Sequence, residues 1–267
     1  MAVTTIRDVI QFLDDFAPPC LAEDWDNTGL LVGHPDGPVS SAMTCLTLTE
    51  DVAAEAIEKR VQLIVSHHPV LFRAVQKLTP DSADGRVLLP LIENKIGVFS
   101  PHTRFDSAAA GINQQLAESF ELESIQPLKV QEDTDGLGSG RMGVLPEPVD
   151  LPAFLERVRS ATKTGYCEFC DAGRAVKKVA IACGAAGSML SDAIRAGCDT
   201  FVTGEARFHT VLEARAAGVN LVLPGHFASE RPAVVHLADV LAKGVAGLNT
   251  FASEVESDPL AVFPHVS

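Results

Sequence analysis

At 267 residues, 46% of them hydrophobic, the chain is long enough for one large domain or two lobes with ample core, which excludes a disordered protein. A formal net charge of −14 argues against non-specific binding to nucleic acid or to an anionic membrane, because phosphate contacts need clustered Lys and Arg. No apolar run approaches the length that spans a bilayer, and residues 1–15 mix charged and apolar residues at helical spacing rather than as a signal peptide, so a soluble cytoplasmic protein is expected.

Residues 5–16 read as a helix, with Ile6, Val9, Ile10, Leu13 and Phe16 along one stripe and Thr4 or Thr5 as N-cap. Ala17-Pro18-Pro19 ends it. Residues 25–33 read as a polar turn feeding a short apolar strand. Asp26 and Asn27 suit an Asx turn beside the only tryptophan, and that turn also suits the border of a pocket. A strand is expected over residues 43–48, a helix over 50–59 and a buried strand over 61–65.

That strand runs into Ser66-His67-His68-Pro69. Adjacent strand residues point to opposite faces, so neighbouring histidines converge on one point only where the strand has ended. Pro69 supplies the ending, since it donates nothing to a ladder and biases His68 toward an extended backbone. The competing structural reading makes one histidine a turn cap and the other a satisfied core residue.

A helix over residues 86–94 and a strand over 96–99 follow, ending at Pro101-His102-Thr103-Arg104-Phe105-Asp106, and a helix is expected over 108–120. Residues 129–140 shift to Asp, Thr, Gly and Ser, the expected connection between two halves, with a strand at 141–145 and a helix at 151–161 completing the link. In the second half a strand at 178–182 leads to Cys183-Gly184-Ala185-Ala186-Gly187-Ser188 and a helix through 196. A strand at 199–202 ends at Thr203-Gly204-Glu205, and a helix over 207–217 sets Glu205 and His209 near one helical start. A strand at 220–223 ends at Pro224-Gly225-His226-Phe227-Ala228-Ser229-Glu230, a helix runs to about residue 243, and a last strand covers 248–252. Alternation of this kind predicts an α/β protein with largely parallel sheets and crossover helices. The expected division is a first lobe at 1–128, a linking segment at 129–176 and a second lobe at 177–267.

Of the six cysteines, Cys45, Cys183 and Cys198 read as small core residues. Cys167 and Cys170 form an isolated CxxC pair with no second pair at zinc-finger spacing, and are expected to be neither redox-active nor metal-binding.

Four strand ends thus carry metal-capable or acid–base residues: His67 with His68, His102 with Asp106, Glu205 with His209, and His226 with Glu230. The carboxyl ends of parallel strands face one side of a sheet, and the last three pairs span one helical turn each. Several imidazoles with at least two carboxylates exceed what one tetrahedral zinc needs. They suit a dinuclear site with a bridging carboxylate, whose two ions about 3.5–4 Å apart activate water.

At these motifs, together with the turn Asp26-Asn27-Thr28-Gly29-Leu30, the chain resembles the GTP cyclohydrolase 1 type 2 family, also called Nif-three-like proteins. The motifs stand in the family's order and span most of the chain. The resemblance implies two similar α/β lobes with largely parallel or mixed sheets and a dinuclear metal site between them. It implies His67, His68, Asp106, His226 and Glu230 as ligands, Glu230 bridging and Asp106 a second candidate bridge. It also implies a toroidal homohexamer whose sites face an inner cavity, here in a compact form without an inserted domain. The turn Gly184-Ala185-Ala186-Gly187 is less glycine-rich than usual, which weakens any phosphate-cradling role. His102 aligns with a family histidine beside the metals and is the leading acid–base candidate. Glu205 and His209 are further catalytic candidates, with helix capping or packing as their alternative role.

The leading expectation is a hydrolase that uses two divalent ions (Zn, Fe, Mn or Ni rather than Mg or Ca) on a small, nucleotide-like substrate such as GTP. Arg73, Lys77, Arg104 and Arg207 are candidate partners for a triphosphate. A non-catalytic metal-binding or metal-delivery protein is the main alternative, and an interaction module with structural metals is a third.

Overall fold

The first helix meets its local signals. Ile6, Val9 and Leu13 are buried along one face of α1 (Ile6–Phe16), and the Thr5 N–H donates to Asp8 Oδ2 at 2.7 Å in a capping box. A computed structural model describes residues 3–132 and 134–262. Within these, the chain forms two compact units, one of residues 3–105 and 233–257, the other of residues 106–132, 134–232 and 258–262. No described helix is long and apolar enough to cross a membrane.

In the first unit α1 is followed by β1 (Gly29–Val32), β2 (Ser41–Cys45), α2 (Glu50–Glu58), β3 (Leu63–Ser66), α3 (Ala83–Glu93) and β4 (Gly97–Ser100). β2, β3 and β4 are parallel neighbours, β1 lies antiparallel on β4, and a strand from late in the chain, Asn249–Ala252, adds parallel to β2. Alternation sends Met43, Cys45, Ile64 and Val98 to one face, where they pack with Val52, Ala56, Val87 and Leu91 of the two helices. Leu63, Val65 and Phe99 on the other face are buried as well, the double burial expected of parallel strands and the reason their sequences run apolar without a break.

Glu55 of α2 is buried, and its carboxylate accepts from the Ser253 hydroxyl at 2.5 Å, the Glu254 N–H at 3.0 Å and Lys59 Nζ at 3.0 Å. Burial pushes its pKa up, but these donors outweigh burial and hold it below the ordinary glutamate value. Replacing Glu55→Gln is expected to cost about 1–3 kcal/mol of unfolding free energy near neutral pH. A carboxyl depressed by folding stabilises the fold above its unfolded pKa and loses that contribution as pH falls through its folded value. The gap between wild type and E55Q in denaturant titrations should therefore close in acid; a gap independent of pH would contradict this role.

The chain passes into the second unit between Phe105 and Asp106, inside the short helix α4 (His102–Ser107). A helix expected over 108–120 begins only at α5 (Ile112–Ser119). The interruption has a cause: the buried guanidinium of Arg141 takes the carbonyls of Ser107 and Ala108, which a continuing helix would use as acceptors. Next come β5 (Glu123–Gln126), β6 (Lys129–Val130), β7 (Gly138–Ser139), β8 (Arg141–Val149), α6 (Leu151–Thr162), β9 (Glu168–Cys170) and β10 (Val176–Ala182). They lead on to α7 (Leu190–Arg195), β11 (Thr200–Thr203), α8 (Phe208–Ala216), β12 (Asn220–Leu223) and α9 (His226–Gly244), which carries the chain back to the first unit, and β13 (Asn249–Ala252) is the added strand there.

The second unit's main sheet runs β5-β8-β10-β11-β12-β9, parallel only across β10, β11 and β12. Ala180, Ala182, Phe201 and Leu221 pack there with Leu190, Ala193 and Ala214 of the helices. Both sheets are therefore mixed, where the alternation alone suggested largely parallel ones. Residues 129–176, expected as a link, supply β8 and β9 to this sheet, and the compact units change over at Phe105/Asp106, Pro232/Ala233 and Ser257/Asp258, against an expected division near 128 and 177.

Candidate metal centre

In the first unit β3 ends at Ser66, and the two histidines beyond it are held by their backbones. The N–H groups of His67 and His68 donate to Cys45 O at 2.9 Å and Leu46 O at 2.8 Å, while their carbonyls accept from the hydroxyls of Ser100 at 2.7 Å and Ser66 at 2.8 Å. The rings then stand 5.1 Å apart, His67 buried and His68 with Nδ1 2.8 Å from the Thr47 hydroxyl. His102, at the start of α4, brings a third ring to 5.3 Å from His67 and 5.8 Å from His68. One ring nitrogen of each histidine lies within 4.8 Å of the other two.

His102 holds a left-handed backbone angle (φ +34°), a strained conformation of the sort found at functional sites. Its Nδ1 lies 2.7 Å from Asp26 Oδ1, and Asp26 Oδ2 accepts from the Thr103 hydroxyl at 2.5 Å. Burial raises the Asp26 pKa, but the hydrogen bonds from His102 and Thr103 outweigh it and keep the carboxyl below its ordinary value. An ionised carboxylate only accepts, so Nδ1 carries a proton, and Nε2 is the ring atom left to take up or release a second proton or to meet a metal.

The second unit carries a cluster of different chemistry. Asp106 lies near the end of α4, Cys183 just past β10, and His226 and Glu230 one turn apart at the start of α9. The Cys183 thiol donates to Asp106 Oδ1 at 3.1 Å, and burial together with the Asp106 and Glu230 charges pushes that thiol well above its ordinary pKa. His226 Nε2 lies 3.1 Å from Glu230 Oε2 and its Nδ1 3.2 Å from Glu205 Oε1. The Glu230 hydrogen bond, opposed by burial, raises His226 to about 9. Carboxylate oxygens of Asp106 and Glu230 approach within 4.8 Å.

Two buried residues support this cluster. Asn113 accepts from the Cys183 N–H at 2.8 Å and donates to the Asp106 carbonyl at 3.1 Å. Arg141, besides its bonds to Ser107 O at 3.0 Å and Ala108 O at 2.8 Å, donates to Gly138 O, Gly140 O and Gln114 Oε1 at 2.8, 2.8 and 2.9 Å. It thereby fixes the end of the helix that carries Asp106.

Gly184, at φ +64°, faces the cluster from the turn after β10. A Cβ added there would overlap Glu230 Oε1 and come within 3.3 Å of His226 Nε2, so only glycine lets the turn approach these two side chains without displacing them. Imidazoles with carboxylates are a donor set suited to Zn, Fe, Mn or Ni.

Of the residues nominated from sequence, His67, His68 and His102 are brought together in the first unit, and Asp106, His226 and Glu230 in the second. Glu205 sits exposed against His226 Nδ1, the position of a residue that orients the ring. His209 is exposed on α8 with its ring against Phe208, and among the described residues it belongs to neither cluster. Arg104 is not available for a phosphate: it is buried, donates to Asp14 at 2.9 Å and lies over the Phe99 ring. Arg73, Lys77 and Arg207 are exposed. Cys167 and Cys170 are free thiols, and burial pushes Cys167 up to about 11. Sequence reasoning gave Asp26 a turn role, at the border of a pocket and within a family motif, but not its bond to His102, and it did not single out Asn113 or Arg141, because their partners lie far along the chain.

An α/β protein with clusters of metal-capable side chains past its parallel strands is the class that fold and site define. The sequence profile of the family described as Duf34/NIF3 (NGG1p interacting factor 3) matches residues 4–259, and the chain belongs to that family. It is similar to a Clostridium acetobutylicum protein named GTP cyclohydrolase 1 type 2 homolog, with 33% identity over an alignment of 261 positions that covers 95% of this chain and 97% of that one. It is likewise similar to NIF3-like protein 1 of Drosophila melanogaster, 32% identical over 94% of this chain and 87% of the relative. Among solved structures, Staphylococcus aureus protein SA1388 superposes with a TM-score of 0.88 at 25% identity, covering 97% of this chain and 99% of that one.

Two substitutions probe the second cluster. G184A should lower the affinity for added Zn or Mn by about ten-fold or more, read by competition with a chelating dye, while the circular dichroism of the fold persists. R141A removes the guanidinium donor from four buried carbonyls and should cost about 3 kcal/mol or more in denaturant unfolding. An R141A protein as stable as wild type would remove the clamp role.

Proposed function

We propose that the two donor clusters act as one dinuclear metal centre and that the chain is a hydrolase acting on a nucleotide-like substrate. The observation that carries this reading is the complementarity of the clusters. One offers imidazoles, with the Asp26 carboxylate beside it taken up by His102 and Thr103, and the other offers two carboxylates with an imidazole. A dinuclear centre needs both kinds of donor, and helix α4 joins them covalently, with His102 in one unit and Asp106 one turn later in the other. His67, His68, Asp106, His226 and Glu230 would hold the two ions.

Two divalent ions of Zn, Fe, Mn or Ni held there would supply Lewis acidity and make a hydroxide nucleophile available near neutral pH. His102, its Nδ1 anchored on Asp26, moves a proton at Nε2. Glu205 orients His226 through Nδ1, and His209 has no role in this mechanism. The exposed cations Arg73, Lys77 and Arg207 are the groups left to meet substrate phosphates. A nucleotide as substrate is supported by the name of the clostridial relative, GTP cyclohydrolase 1 type 2 homolog. The proposed assembly is a cytoplasmic homohexamer, which light scattering would report as six times the chain mass.

The test is turnover of GTP and related nucleotides by protein loaded in turn with each of the four metals. H102A should retain both ions and lose about 10²–10⁴-fold in kcat/KM. Fully loaded protein that leaves every nucleotide intact would refute the hydrolase reading. An H102A protein altered only in metal affinity would point to a carrier.

A further inference from the structure

Beside the three-histidine cluster lies a surface that the proposed chemistry leaves unused. Trp25, the only tryptophan, is 62% exposed and Phe72 is 53% exposed, so folding leaves two large apolar side chains in water. They are not scattered singly. Their ring centroids lie 6.0 Å apart at 77°, and each ring also meets His102, at 6.1 Å and 80° for Trp25 and at 6.2 Å and 85° for Phe72. Two rings at nearly right angles form a floor and a wall, and the corner ends on an imidazole of the donor cluster.

The corner is built by hydrogen bonds rather than by attraction between the rings. Asp26, next to Trp25, is fixed by His102 and Thr103, and Asn27 donates its side-chain N–H to Leu71 O at 2.7 Å, the residue before Phe72. The Trp25 loop is therefore tied to the Phe72 loop through Asn27 and to α4 through Asp26, and the entropy of ordering it is met during folding rather than on binding. A π-face held open in this way stacks well with any planar base. On a chain of net charge −14, an uncharged grip on a ring also supplies affinity that does not depend on attracting phosphates.

We infer that Trp25 and Phe72 form a stacking subsite for a planar heteroaromatic ring, with His102 as its boundary toward the metal donors. This rests on the reading of the substrate as nucleotide-like and names the part of it that the chain grips. No bond is made or broken at this subsite; its contribution is binding and orientation.

Trp25 is its own reporter. The full chain is titrated with guanosine, a ring without phosphate, and with inorganic tripolyphosphate, phosphates without a ring. Guanosine should quench Trp25 emission saturably and tripolyphosphate should leave it unchanged. F72A should raise the half-saturating guanosine concentration by about five-fold or more. In calorimetry W25A should lose binding to a similar extent, whereas W25F should keep most of it. Both side chains are exposed, so the variants should match wild type in circular dichroism and in metal content. Absence of saturable quenching by guanosine, equal quenching by tripolyphosphate, or guanosine affinity unaffected by F72A and W25A would overturn the subsite. Ring binding by a chain that holds no metal and hydrolyses nothing would leave the subsite standing and defeat the dinuclear hydrolase instead.

Discussion

A strand cannot turn two consecutive side chains to the same side, and the proposed centre depends on how this chain escapes that constraint. Ladder geometry stops at Ser66, yet the next two residues are not loose, because β2's continuation and two serine hydroxyls hold their N–H and carbonyl groups. The peptide is thus rigid as in a sheet but free of the sheet's alternation. This lets His67 and His68 present both imidazoles to one region, with His102 coming to meet them from the end of the neighbouring strand. The fold's parallel strands matter chiefly because they deliver such ends to the same side.

The second unit reaches an equivalent precision by other means. Its carboxylates sit on helix starts and ends, where small displacements of the backbone move them freely, so the chain invests buried polar groups to hold them. Arg141 satisfies five acceptors without a carboxylate of its own, and Asn113 links the Asp106 peptide to the Cys183 peptide. Such groups are costly to bury unless fully bonded, which ties the local fold to the geometry of Asp106.

Much of this arrangement can be read from residues alone, and the reason is physical. β3, β4, β11 and β12 are buried on both faces, so they appear as short unbroken apolar runs, and the residues just beyond them stand out as polar. His102 and Asp106, like His226 and Glu230, announce themselves by helical spacing. The antiparallel additions carry no such mark. β5 reads Glu-Ser-Ile-Gln and is largely exposed, and β9 has three residues, so their pairing is set by the neighbouring strand rather than by their own pattern. The same holds for the supporting cast: Asp26 meets His102 across 76 residues, and Arg141 meets Ser107 across 34. Arg104 misleads for the converse reason, since a cation beside a loop looks available until its burial against Asp14 and Phe99 is seen.

X-ray absorption at the metal edge of the loaded protein addresses the central proposal most directly. Joint coordination by His67, His68, Asp106, His226 and Glu230 predicts a metal–metal vector of about 3.5–4 Å with mixed imidazole nitrogen and carboxylate oxygen ligation. A lone ion with no such vector, or a ligand shell unchanged when His67 and His226 are each replaced by alanine, would contradict it.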